Sequence, residues 1–157
     1  MYHIYSDGAC INNGLPDAVA SWSYVVADEN DSIIQACTGR VEGKQDNNRA
    51  ELVAYINALK YVKENKGQFI IHVDYQALYL YCNGKNRPKT NLDLYNEIDR
   101  LHKACSIKLA AVVKVQAHRS KSSVTNFINS LVDKMARRSI EFFGDNGIKT
   151  RLQSQNK

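Results

Sequence analysis

Four acidic residues lie far apart along the chain, each at the edge of an apolar or small-residue segment. They are Asp7 in IYSDGAC, Glu51 in NNRAELVA, Asp74 in FIIHVDYQ and Asp133 in NSLVDKMA. Four carboxylates that a fold brings to one point form a site for divalent cations such as Mg²⁺, which prefers oxygen ligands. Paired cations of this kind can promote the hydrolysis of phosphodiesters, because they stabilise both the attacking and the leaving oxygen.

Each acid also has a simpler interpretation. Asp7 could be a turn acid, Glu51 a first-turn acid favoured by the helix dipole, and Asp74 a cap for the segment that follows it. Asp133 could form an ion pair with Arg137, one helical turn later. The metal-site interpretation therefore requires that the fold bring the four acids together.

Apolar periodicity and turn residues predict the elements that must position these acids. Three strands in meander order come first, followed by a helix, a strand, two helices, a strand and a last amphipathic helix. The order βββαβααβα implies an α/β fold with one mixed five-stranded sheet, a meander followed by parallel strands, with helices on both faces. The predicted strands cover 3–10, 22–27, 32–40, 69–74 and 109–116. The first predicted helix has Asn47 or Asn48 as its cap and ends near 66, and the other three cover about 75–81, 92–104 and 126–143.

This topology permits the four acids to meet. Ligand sites in such sheets lie beyond the carboxyl ends of the parallel strands. Asp74 is predicted at that end of its strand, and Asp7 lies within the first strand, which we expect to be central. Glu51 is expected in the first turn of the first helix and Asp133 in the second turn of the last one.

Composition limits the class of protein. The 157 residues are 44% hydrophobic, which is enough for the core of one domain. We expect that domain to cover 1–144 and the polar, basic tail 145–157 to be flexible. The net charge of +5 favours polyanionic partners. The four cysteines form no C-x-x-C pair, and no segment resembles a signal peptide or a membrane span, so we expect a cytoplasmic protein with free thiols and no membrane partner.

The acid-containing segments resemble the motif blocks of type 1 ribonuclease H in residue type, order and spacing. The blocks are DGAC at 7–10, NNRAEL at 47–52, DYQ at 74–76 and N-x-x-x-D-x-x-A at 129–136, and the resemblance covers 2–143. It implies an RNase H-like fold and an endonuclease that cleaves the RNA strand of RNA–DNA hybrids. It further implies two Mg²⁺ ions, for which Mn²⁺ can substitute, little sequence preference, and products with 5′-phosphate and 3′-hydroxyl ends.

The resemblance also implies a role for each acid. Asp7 would bridge both metal ions, and Asp133 would help to hold the ion that activates water. Glu51 and Asp74 would hold the ion beside the leaving 3′ oxygen, with Glu51 also near a ribose 2′-hydroxyl. His118 heads a polar loop, as a histidine does in the family, where it assists water positioning or product release.

Six further residues match family positions that contact the hybrid. Amides suit this task because they both donate and accept hydrogen bonds, and the minor groove displays the 2′-hydroxyls that distinguish RNA from DNA. Asn91 matches a residue that helps to grip a DNA-strand phosphate. The minor-groove positions are Cys10, Asn13, Asn47, Asn48 and Gln76.

Three departures from the family pattern stand out. Asp46 occupies the place where the family often has a threonine beside the DNA phosphate, and its charge would repel that phosphate unless Lys44 compensates. The basic helix and loop that some members carry between the third and fourth blocks is reduced, so affinity for the hybrid is expected to be low. Fourteen residues separate His118 from Asp133, more than the family leads us to expect. The basic residues that remain in the reduced segment are Lys85, Arg87 and Lys89.

Other functions on the same fold stay open at this point. A non-catalytic module that binds hybrid or double-stranded RNA would also be basic, but it would have no need of all four acids. A nuclease or transposase-like enzyme acting on DNA is disfavoured by the NNR-x-EL block and Gln76. A structural scaffold with solvated acids would show no Mg²⁺-linked rise in melting temperature. We expect a complete, stand-alone and monomeric enzyme without an obligate protein partner.

Overall fold

The computed structural model describes residues 1–115 and 124–144. Segments rich in β-branched and aromatic residues form five strands, and segments with apolar residues at helical spacing form four helices. The order of elements in the described residues is βββαβααβα, as the sequence predicts. The strands are β1 (Tyr2–Ile11), β2 (Val19–Ala27), β3 (Ile33–Arg40), β4 (Phe69–Val73) and β5 (Leu109–Lys114), and the helices are α1 (Asn47–Glu64), α2 (Gln76–Cys82), α3 (Leu92–Ala104) and α4 (Val124–Gly144).

The five strands form one mixed sheet in the order β3-β2-β1-β4-β5. The meander strands pair antiparallel, whereas β4 and β5 extend the sheet in parallel. Tyr5 lies opposite Val25 on one side and His72 on the other, so β1 is central, as predicted. Ligand sites in such sheets form beyond the carboxyl ends of the central strands, where the strand order reverses.

The larger core lies between the sheet and the pair α1 and α3. Ile4 and Ile71 come from the central strands, Leu52 and Tyr55 from α1, and Ile98 from α3, and all five are buried. Full burial of side chains of this size stabilises the fold by roughly 1.5–3 kcal/mol each. The apolar spacing that predicted α1 therefore marks the face that packs on the sheet.

A smaller core lies on the opposite face, under α4. Tyr5 and Val25 of the sheet contact Ile128 and Val132 of α4, and all four are buried. Helices thus cover both faces of the sheet, as predicted. None of the helices in the described part of the chain combines the length and the apolar character needed to cross a membrane.

Several predicted boundaries are wrong. β1 and β2 are longer than expected, because the pairing continues to Ile11 opposite Val19 through small residues that carry little strand signal. α4 begins at Val124, two residues before the predicted start. The cap of α1 is Asp46, and its carboxylate accepts hydrogen bonds from the backbone N–H groups of Asn48 and Arg49. Asp46 has an extended backbone, which is the conformation that a capping residue requires.

Candidate metal and nucleic-acid site

Asp7 is the centre of the candidate site. It lies within β1 at 8% exposure, and its Oδ1 accepts a hydrogen bond from the backbone N–H of Gly8 at 2.9 Å. Burial raises the pKa of Asp7 to about 6, and the charges of Asp133 and Asp74 contribute in the same direction, while a hydrogen bond with Glu51 opposes them. All three other acids therefore lie close enough to Asp7 to change its ionisation.

Glu51 reaches Asp7 because β1 and α1 approach each other at a glycine. A Cβ atom on Gly8 would lie 2.3 Å from the carbonyl carbon of Ala50 and 2.4 Å from the nitrogen of Glu51. Only a residue without a side chain permits this contact between strand and helix. Burial, and then the charge of Asp7, raise the pKa of Glu51 well above its ordinary value. Two carboxyl groups that share a hydrogen bond need one proton between them in the absence of a cation.

Asp74 and Asp133 enter the site from different elements. Asp74 directly follows β4 at its carboxyl end. Asp133 lies on α4, next to Val132, whose carbonyl accepts a hydrogen bond from the buried Ser23 hydroxyl at 2.7 Å. This bond ties α4 to the sheet beside Asp133. The ion pair of Asp133 with Arg137 is also present at 3.3 Å, but both partners are exposed, and such pairs contribute little to stability.

The four acids form an open group around Asp7. Within 1–115 and 124–144, no three side chains of Asp, Glu, His or Cys already enclose a position for an ion. The donor set nevertheless fits Mg²⁺, which takes oxygen ligands and retains several waters. Burial first, and the charges of the neighbouring acids after it, raise the pKa values of Asp7 and Glu51, and a bound cation would favour their ionised forms.

A cation-linked change in stability follows from these shifts. An acid whose pKa is higher in the folded than in the unfolded state favours the fold at low pH, and that contribution is lost as pH rises through the folded value. Without divalent cation, the contribution of Asp7 is therefore expected to fall between about pH 4 and pH 6. Mg²⁺ should raise the melting temperature more at pH 7 than at pH 5, because it binds ionised carboxylates.

Thermal unfolding with Mg²⁺ or EDTA at both pH values measures this linkage. The exposed acid Glu42 supplies the matched control, since Glu42→Gln should keep the full Mg²⁺ response. Asp7→Asn should lose most of it. An equal Mg²⁺ response in wild type and Asp7→Asn would contradict a cation site at Asp7.

The predicted substrate-contacting residues surround the acids. The side-chain oxygen of Asn13, in the turn after β1, accepts a hydrogen bond from the backbone N–H of Asn47 at 3.1 Å. Burial, and then the charge of Asp46, raise the pKa of the Cys10 thiol, so Cys10 lies near the start of α1. Gln76 is exposed and opens α2, two residues after Asp74. The exposed amide side chains in this group are Asn13, Asn47, Asn48 and Gln76.

Arg49 connects Asn91 to this group, a role that its position in the sequence does not predict. Its guanidinium donates to the side-chain oxygen of Asn91 at 3.0 Å and to both carboxylate oxygens of Asp93 at 3.1 and 2.8 Å. Asn91 has a left-handed backbone with φ of 57°, which asparagine tolerates better than most residues. Arg49 in the NNR block and Asp93, two residues after Asn91, are a possible ion pair in the sequence. Their contact could not be predicted, because it depends on how α1 packs against α3.

Two of the three basic residues of the reduced segment line a shallow polar depression. Its volume is about 570 Å³, and Lys85 and Arg87 share it with Tyr81, Asp99 and His102. The depression holds both signs of charge, so it does not replace a basic grip on nucleic acid. His118 and the tail 145–157 lie outside the described residues, and the predictions for them stay predictions.

Comparison with known proteins gives one consistent family. Residues 1–141 match the family model for RNase H. A ribonuclease H of Treponema denticola is 29% identical over 161 residues, covering 85% of this chain and 92% of that protein.

Solved structures show the same fold. LC11-RNase H1, isolated from compost and crystallised in complex with an RNA/DNA hybrid, superposes with a TM-score of 0.72 at 18% identity, covering 90% of this chain and 97% of its own. RNase H1 of the halophilic archaeon Halobacterium salinarum gives a TM-score of 0.68 at 20% identity, with coverage of 89% and 97%.

Proposed function

Since the chain belongs to the ribonuclease H family of endonucleases, we propose that it hydrolyses the RNA strand of RNA–DNA hybrids at the group of acids around Asp7. One observation carries this proposal: Asp7, on the central strand, interacts with Glu51, Asp74 and Asp133. The products would carry 5′-phosphate and 3′-hydroxyl ends, and cleavage would show little sequence preference.

The acids would hold two Mg²⁺ ions, with Mn²⁺ as a substitute. Asp7 would contact both ions, Asp133 would serve the one on the water side, and Glu51 and Asp74 the one on the side of the leaving oxygen. When bound, the ions supply Lewis acidity that stabilises the attacking and leaving oxygens. His118 stays a predicted aid to water positioning or product release.

The chain's own residues bind and orient the hybrid in this proposal. Cys10, Asn13, Asn47, Asn48 and Gln76 would lie along the minor groove, where amides can pair with 2′-hydroxyls and base edges. Arg49 would act through Asn91. By holding the side-chain oxygen of Asn91 at 3.0 Å, it leaves the amide N–H₂ group free to donate to a phosphate of the DNA strand.

Asp46 would weaken the binding of the DNA-strand phosphate. Its carboxylate occupies the backbone N–H groups at the start of α1 that could otherwise bind a phosphate. Lys44 lies 3.9 Å from Asp46, but its side chain is 75% exposed, so the neutralisation it offers is small. We therefore expect the hybrid to bind weakly.

Replacing Asp46 by threonine should tighten binding. Threonine still caps the helix, at a cost of a few tenths of a kcal/mol, while the negative charge beside the phosphate disappears. The expected result is a KM for hybrid lowered by about fivefold at low salt, with kcat nearly unchanged, since removal of one repulsive contact is worth about 1 kcal/mol. Steady-state kinetics measure KM and kcat separately. Asp46→Asn is the matched control for charge alone, and a KM that rises in both variants would contradict the proposed phosphate contact.

A labelled hybrid, incubated with and without Mg²⁺, tests the activity itself. Cleavage of the RNA strand only with Mg²⁺, together with 5′-phosphate ends, is the expected result. Double-stranded RNA, double-stranded DNA and single-stranded RNA serve as comparison substrates. Binding without cleavage would instead support a non-catalytic module, and preferred cleavage of DNA would support a DNA-acting nuclease on this fold. The cytoplasmic location and the monomeric state also belong to the proposal, and gel filtration tests the latter.

A further inference from the structure

Two histidines outside the acid group lie in direct contact across the sheet. His3 Nδ1 and His72 Nε2 are 2.9 Å apart on the parallel strands β1 and β4. They lie on the face covered by α4, which packs mainly across β1, β2 and β3. We propose that this pair is a transition-metal site that binds Cu²⁺ in preference to Zn²⁺, with water completing the coordination.

The spacing of the two nitrogens fits a metal that binds ligands at right angles. An ion bound to two imidazole nitrogens at about 2.05 Å holds them about 2.9 Å apart at 90°, but about 3.3 Å apart in a tetrahedral site. The observed 2.9 Å is the distance of a hydrogen bond between the rings, and the two nitrogens can keep it while the ring of His3 turns its lone pair toward an ion in the tetragonal geometry that Cu²⁺ prefers. Cu²⁺ also lies above Zn²⁺ in general affinity for nitrogen ligands.

The facing nitrogens can both be made available. A hydrogen bond between two imidazole rings already requires one nitrogen without a proton. The other ring can carry its single proton on its far nitrogen, so both lone pairs can serve a metal without a net change of charge. Both side chains are partly exposed, so an ion and its waters can reach them.

Tyr5 fixes one half of the site in advance. Its ring stacks on His72 with centroids 4.3 Å apart and an interplanar angle of 15°, and Tyr5 itself is buried under α4. His72 is therefore held in place, and only the ring of His3 needs to turn toward the ion. A ligand held in its binding orientation loses less entropy when the metal binds.

The site uses other residues than the acids, although His72 precedes Asp74 by two positions. His3 precedes Asp7 by four residues on the same strand, which corresponds to about 13 Å. In the described part of the chain, no third His, Cys, Asp or Glu joins the two histidines in a group of ligands. The ion would therefore be exchangeable, and its binding does not depend on the proposed nuclease activity.

Calorimetric titration of the full chain with Cu²⁺, in excess Mg²⁺ to saturate the carboxylates, tests the proposal. We expect one Cu²⁺ per chain, with affinity lowered about tenfold or more in His72→Gln and in His72→Phe. The phenylalanine variant retains the stacking on Tyr5, so it controls for loss of packing. His102→Gln removes a histidine elsewhere, and it should bind Cu²⁺ as the wild type does.

His3 alone could also bind copper together with nearby main-chain nitrogens, and the His72 variants distinguish the two arrangements, because only the paired site depends on His72. Electron paramagnetic resonance of the Cu²⁺ complex adds a direct readout, since coupling to two imidazole nitrogens is expected in wild type and to one in His72→Phe. Unchanged affinity in both His72 variants, or a wild-type spectrum with only one imidazole, would overturn the proposal.

Discussion

Asp7→Asn is expected to lower Mg²⁺-dependent cleavage of an RNA–DNA hybrid by about 1,000-fold or more, while the fold is retained. Asp7 interacts with all three other acids, so its loss is expected to affect every proposed ion position. An amide has nearly the same shape but cannot supply the negative charge that two cations require. Cleavage of a labelled hybrid, followed over time at saturating Mg²⁺, measures the loss.

The same substitution should make the cation-free protein more stable above pH 6. Burial raises the pKa of Asp7 to about 6, so its ionised form opposes folding at neutral pH. Removing that charge is expected to stabilise the fold by about 1–3 kcal/mol, with desolvation of the new amide offsetting part of the gain. Chemical denaturation in EDTA measures this difference.

Loss of activity with gain of stability separates a cation site from a structural acid. Glu42→Gln, at an exposed acid, should leave both quantities unchanged. Full activity in Asp7→Asn would refute the assignment of Asp7, and a large loss of stability would show that the charge serves the fold instead.

Gly8→Ala is expected to destabilise the protein by about 3 kcal/mol or more and to reduce activity as well. The new methyl group would meet backbone atoms of Ala50 and Glu51 at 2.3 and 2.4 Å. Backbone cannot rotate away as a side chain can, so α1 must move off β1. That movement carries Glu51 away from Asp7, and a displacement of about 1 Å can cost about 100-fold in rate.

Thermal unfolding and hybrid cleavage should both report this change. For a chain of this size, about 3 kcal/mol corresponds to a fall in Tm of roughly 6–12 °C. Gly84→Ala is the matched control, because Gly84 has a φ of 72° and open space around it. It should lose only the strain of a left-handed backbone, about 1–2 kcal/mol, and keep its activity. Similar losses in both variants would mean that the contact of β1 with α1 is not specially tight.

The order of elements and the acid-containing blocks follow from local patterns in the amino-acid sequence. Alternating and helical apolar spacing are local properties, so the faces of α1 and of the central strands could be read directly from residues such as Leu52, Tyr55 and Ile71. The motif blocks likewise predicted the family, and the match of residues 1–141 to the RNase H family model confirms it.

Contacts between residues that are distant in sequence depend on how the elements pack. The cap at Asp46, the contact of Arg49 with Asn91 and Asp93, and the pairing of His3 with His72 were not foreseen. His3 and His72 are separated by 69 positions, and no local pattern links them. The parallel register of β1 with β4 and the packing of α1 on α3 set these contacts, and both result from burying the whole core rather than from any single segment.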